Sequence, residues 1–165
     1  KYRNLIDLEQ SLHITAAFEY YVRTILPEIS SPDTIAFFSD MESLVDEYIK
    51  TAKGKKKEKA KSFKKSLIPQ VSLKEKIKKS YGGYSTWQPL KPILEEWFRD
   101  DVDNLASAAN LWRNELAHEK REYQPNVDVI TAVRLVEHLS YCIVLRYAGY
   151  NDEQIKAILS DILTR

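Results

Sequence analysis

The chain has 165 residues, of which 44% are apolar and 30% charged, with four glycines and one cysteine. A single cysteine excludes a disulfide within the chain, and so few glycines disfavour a many-stranded β fold. No apolar stretch approaches the roughly 20 residues that span a bilayer. The length suits one domain over residues 1–165, and the single cysteine suits a reducing cytoplasm. Because the first residue is Lys1 and not methionine, we expect the domain to be excised from a longer protein.

The net charge of +1 is unevenly distributed along the chain. Residues 53–65, here called the lysine block, contain eight lysines and one glutamate, a local balance of +7. The block is a candidate for binding an RNA backbone by counterion release. The alternative is a solvated loop that aids solubility.

The first part of the chain predicts two amphipathic helices and then an irregular segment. Apolar residues every three or four positions favour a long helix over 2–26. Ser31 as N-cap and Pro32 as the first helical residue begin the second helix. The lysine block interrupts it, since like charges repel and Gly54 weakens a helix by about 1 kcal/mol relative to alanine. We therefore expect 52–62 to be an exposed connection and a candidate for disorder.

The second part of the chain also predicts helices. In chain order these are a short helix over 71–80, a loop over 81–85, a short helix over 88–99, a helix over about 102–119, a long helix to about 148 and a final helix that begins at Asn151–Asp152. Asp101 or Asp100 would cap the helix over about 102–119, and Asn126 or Pro125 would begin the long helix. With five to seven helices and no credible strand, we expect an all-α helical bundle.

The segment that carries chemistry is Arg113-Asn114-Glu115-Leu116-Ala117-His118, which contains the pattern R-N-x-x-x-H. RNA can be cleaved without a metal when the ribose 2′-OH is the nucleophile. His118 suits proton transfer because imidazole titrates near neutral pH, and Arg113 suits the phosphate because guanidinium pairs with its oxygens. Asn114 lies four positions before His118, on the same helical face, and would orient the imidazole or contact the phosphate.

Spacing argues against a complete site on one helix. On an ideal helix Arg113 and His118 are offset by about 140°, so they do not share a face. Two copies related by a two-fold axis would merge their motifs into a better site. The alternative is that His118 is simply a helix-end residue, favoured there by the helix dipole.

This motif and its setting, a helix followed by a polar loop and a long apolar helix, resemble the HEPN superfamily, and its Apea-like branch most. The resemblance implies a homodimeric endoribonuclease with no metal or cofactor, acting in a toxin or antiphage system. Its substrate would be RNA, with tRNA one candidate. A regulatory domain or antitoxin outside this chain would hold it in check.

Three further residues are candidates for substrate binding. Lys120 and Arg121 follow the motif directly and are placed to hold phosphates. The resemblance implies an acidic residue on an early helix that faces the motif, and Glu19 would fill that role by positioning Arg113; a surface glutamate is the alternative. Two other functions also stay open, namely a non-catalytic dimerisation or RNA-binding module and a domain that binds a free nucleotide.

Overall fold

The computed structural model describes residues 8–26, 32–67, 71–84, 86–98, 101–117 and 126–164. Within these ranges the chain forms eight helices and no strand: α1 (Leu8–Ile25), α2 (Pro32–Thr51), α3 (Lys55–Ser66), α4 (Leu73–Gly82), α5 (Lys91–Leu94), α6 (Val102–Ala117), α7 (Val127–Tyr147) and α8 (Asp152–Thr164). The all-α class is confirmed. The count exceeds five to seven because the lysine block is helical.

The described helices group into two compact units. The first contains α1 and α4 to α8, and the second contains α2 and α3. That residues 1–165 form one domain stays a prediction. None of the described helices is long and apolar enough to cross a bilayer.

Helix α7 is the centre of the first unit, where it packs against α1, α6 and α8. Side chains spaced three or four apart on these helices fill the core, which is what amphipathic periodicity predicts. Those that are almost fully buried include Phe18, Val22, Ile77, Ala109, Trp112, Val136, Leu139, Ile143, Ile155 and Leu159. Each large apolar side chain buried in this way contributes about 1.5–3 kcal/mol to stability.

Two polarisable side chains of α7 also lie in this core. Cys142 is buried, and burial raises the pKa of its thiol to about 12, so the thiol stays protonated at neutral pH. His138 is buried against the ring of Phe98.

Side-chain caps begin several helices where the sequence places them. The Asn126 side chain accepts a hydrogen bond from the backbone N–H of Val129 at 2.9 Å and begins α7. Asn151 accepts from the N–H of Gln154 at 2.9 Å, and the Gln154 side chain accepts in return from the N–H of Asn151 at 3.0 Å. Helix α2 begins at Pro32 as predicted, whereas the predicted cap Ser31 lies outside the described residues.

The second unit corrects the prediction for 52–62. Residues 55–66 form α3, a helix with no buried residue. Lys64 joins it to α2 through ion pairs with Asp46 at 2.6 Å and Glu42 at 3.5 Å. These acidic partners offset part of the repulsion among the lysines, a tertiary effect that the local sequence does not reveal.

The short helix predicted over 88–99 is also only partly correct. Regular helix is confined to α5, a single turn, and turns follow it to Phe98. The apolar residues of this segment still face inward, since Leu90, Ile93 and Leu94 are buried.

Candidate active site

Helix α6 carries the first half of the R-N-x-x-x-H motif. Asp101 begins the helix by accepting a hydrogen bond from the N–H of Asn104 at 3.3 Å. Farther along, Trp112 is buried with Val129 and Val133 of α7. The residue before the motif is thus anchored in the core, and this anchor fixes which face of α6 carries Arg113.

Arg113 lies at the edge of the core with its side chain 43% exposed. Its Nη2 is 3.4 Å from the Oε2 of Glu19 on α1, and its Nη1 lies 3.5 Å from the Oδ1 of Asn114. Both contacts are long for charge-assisted hydrogen bonds. The guanidinium is therefore oriented by its neighbours without being saturated by them, and it keeps donors for a ligand.

Glu19 is the residue that joins α1 to this cluster, as the sequence analysis anticipated. Its side chain is 24% exposed, and its carboxylate has a second, closer partner, because the Nζ of Lys76 on α4 lies 2.7 Å from Oε1. One carboxylate thus lies between two cations. The cluster carries a net charge of +1, which suits a phosphate group.

Lys76 is the member of the cluster that sequence reasoning missed. It is 57 positions from Glu19 and 37 from Arg113, and its side chain is only 18% exposed. It lies one position before the buried Ile77 and one turn after the cap Ser72. A lysine on an amphipathic helix is normally expected to face solvent. The sequence around Lys76 therefore does not indicate that it pairs with Glu19.

Asn114 is exposed beside Arg113, on the surface of α6. His118, Lys120 and Arg121 lie outside the described residues, so their places relative to Arg113 stay predictions. The described part of α6 ends at Ala117. The structure therefore brings together Arg113, Asn114 and Glu19, and it adds Lys76.

Other reactive groups lie away from this cluster. His138 and Cys142 are enclosed in the core, and His13 is exposed on α1. Among the described residues no group of three or more His, Cys, Asp or Glu could hold a metal ion.

Comparison with known families agrees with the geometry. The family model described as Apea-like HEPN matches residues 12–154. This match spans most of the chain, and the chain therefore belongs to the Apea-like HEPN family. No curated protein and no solved structure matches the chain significantly.

Proposed function

We propose that this chain is an endoribonuclease of a toxin or antiphage defence system that cleaves RNA without a metal ion. HEPN domains are commonly nucleases in such systems. The observation that carries the proposal is the Arg113 guanidinium, which is held at the edge of the core by Glu19 and is still exposed. A cation that is fixed before substrate arrives stabilises developing negative charge without a reorganisation cost.

The proposed reaction is an internal displacement at phosphorus. The ribose 2′-OH attacks the adjacent phosphate and loses its proton to a base, while the bond to the 5′ oxygen breaks and that oxygen gains a proton. The products are a 2′,3′-cyclic phosphate and a 5′-OH end. His118 would move the protons, Arg113 would bind the phosphate oxygens, and Asn114 would orient the imidazole or the substrate.

The first experiment measures cleavage of total cellular RNA in EDTA. We expect wild type to cut and the variants Arg113→Ala and His118→Ala to lose at least about a hundredfold in rate, the scale of removing an oxyanion or acid–base group. His13→Ala is the matched control, since His13 is an exposed histidine elsewhere on α1. If wild type does not cut, or if both variants cut as fast as wild type, the motif is not catalytic, and the non-catalytic RNA-binding or dimerisation module is favoured.

The composite site at a homodimer interface is the second part of the proposal. Leu111 supports it, because this apolar side chain is 57% exposed on α6, three positions before Asn114. Mixing Arg113→Ala with His118→Ala subunits tests it, since a mixed dimer keeps one intact arginine and one intact histidine. We expect the mixture to recover activity that neither variant has alone. A mixture as inactive as its components would contradict a shared cleft.

A further inference from the structure

Most of the positive charge of the lysine block has no acidic partner in the described structure. Lys61 pairs with Glu58, and Lys64 pairs with Asp46 and Glu42. The lysines that form no ion pair with a described residue are Lys53, Lys55, Lys56, Lys57, Lys59 and Lys65. Repulsion among them costs helix stability, so their charge is available to an external polyanion.

Beside these lysines, an apolar groove that is open to solvent lies between α2 and α3 and has a volume of about 440 Å³. Its lining residues are Leu44, Val45 and Tyr48 of α2 and Lys56, Lys59, Ala60 and Phe63 of α3. Tyr48 and Phe63 are each 51% exposed, and Leu44 is 60% exposed. An apolar surface of this kind, left open to water, favours a ligand that has flat apolar faces.

The charges along the groove are one-sided. Lys56, Lys59 and Phe63 follow one another at helical spacings of three and four, so they form one face of α3. On α2 the exposed acidic residues Asp40 and Glu47 lie four positions before and three after Leu44. By the same spacing these two carboxylates share the face of Leu44, so anionic groups would lie along α3 and away from α2.

We propose that this groove binds a single-stranded segment of RNA, with phosphates on Lys56 and Lys59 and a base stacked against Tyr48 or Phe63. Exposed aromatic rings beside cations are the elements that single-strand-binding proteins use. An anionic membrane fits less well, because a flat surface would also meet Asp40 and Glu47. The inference rests on the proposed function, for which the groove would be a docking site for substrate RNA.

The test measures binding of a fluorescein-labelled single-stranded RNA by anisotropy, in the His118→Ala background so that cleavage does not interfere. Adding Lys56→Gln and Lys59→Gln should weaken binding about tenfold at 50 mM salt. It should also lower the slope of log K against log salt by about 1.4, at roughly 0.7 per phosphate contact in a single strand. The matched control is Lys50→Gln with Lys91→Gln, which removes the same charge from exposed lysines outside the groove.

A second variant separates stacking from charge. Phe63→Leu keeps an apolar groove but removes the ring, so we expect roughly tenfold weaker RNA binding with an unchanged salt slope. Circular dichroism of each variant checks that α3 remains helical. A duplex RNA of equal length should bind more weakly than the single strand.

Two results would overturn the inference. One is equal RNA binding by the groove and control variants. The other is groove-dependent binding to vesicles that contain phosphatidylserine without groove-dependent RNA binding. RNA that binds in the groove but is never cut would contradict the proposed function alone. If the groove variants bind RNA as well as the control variants do and also cleave it at full rate, the inference alone is contradicted and the proposed function stands.

Discussion

In the cluster of Arg113, Glu19 and Lys76, one carboxylate lies between two cations. The Lys76 Nζ lies 2.7 Å from Glu19, whereas the Arg113 Nη2 lies 3.4 Å away. Because Lys76 has the shorter and more buried contact, it takes the larger share of the carboxylate charge. Arg113 is then oriented by Glu19 but remains able to bind a phosphate.

This division predicts a positioning role for Lys76. In Lys76→Met, Glu19 should pair fully with Arg113, and RNA cleavage should fall about tenfold, which corresponds to about 1.4 kcal/mol. Lys76→Arg should keep the pairing and most of the rate. In Glu19→Gln/Lys76→Met no carboxylate remains to hold Arg113, so part of the lost rate should return. A double variant slower than Lys76→Met would argue against this account.

His138 gives a prediction for pH dependence. Burial holds the pKa of this imidazole below its usual value of 6.5, the carbonyl of Arg134 at 2.6 Å raises it, and the Arg134 charge lowers it. The folded state thus favours the neutral ring, while the unfolded chain binds a proton below about pH 6.5. Stability from this group is therefore full above pH 6.5 and is lost as the pH falls below it, by at most about 1.4 kcal/mol per pH unit.

Urea unfolding at pH 7.5 and 5.5 measures this loss. His138→Gln should be less stable at pH 7.5 but should lose less on acidification than wild type. His13→Gln, which changes an exposed histidine, should behave as wild type does. The same loss on acidification in wild type and His138→Gln would contradict the assignment.

At the scale of elements, the turn after α4 depends on one glycine. Gly83 has φ 87° and ψ 154°, a region that side chains strongly disfavour. A Cβ at this position would lie 3.0 Å from the Cδ of Pro89 and 3.2 Å from the carbonyl oxygen of Trp87. The glycine therefore allows the close turn in which Tyr84 and Trp87 pair.

We accordingly expect Gly83→Ala to lower the free energy of unfolding by about 2 kcal/mol, from backbone strain and crowding together. Gly82→Ala is the matched control, since nothing lies within 4 Å of a Cβ there and Gly82 is the last residue of α4. That change should be neutral or slightly stabilising. Thermal or urea unfolding measures the free energy of unfolding of Gly83→Ala and Gly82→Ala. Equal free energies for the two variants would count against a strained turn at Gly83.

Elements that are defined by local chemistry were predictable from the sequence, and those that depend on distant partners were not. Asn126 and Asn151 cap the helices that the sequence assigned to them, because a cap is a contact between neighbours along the chain. Helix α3 was missed because Asp46 and Glu42 of another helix offset part of its charge. Arg113 was a candidate through the motif and Glu19 through the family resemblance, whereas Lys76 has no signal in its own segment.

For the molecule as a whole, the proposed dimer gives a prediction at Leu111. If the two motifs share a cleft, this exposed apolar residue of α6 lies near the interface. Leu111→Asp should then shift the protein from dimer to monomer in light scattering and abolish most RNA cleavage. Ile35→Asp, at another residue that is 49% exposed, is the matched control and should change neither property. A dimer that persists with Leu111→Asp would exclude this face.

Attack by the 2′-OH is tested by comparing cleavage of an RNA oligonucleotide with that of its 2′-deoxy counterpart, both in EDTA. The account predicts that wild type cuts the RNA, leaves a 2′,3′-cyclic phosphate and a 5′-OH end, and does not cut the deoxy strand. Cleavage of both strands, or cleavage that appears only when a divalent metal is added, would contradict a metal-independent reaction through the 2′-OH.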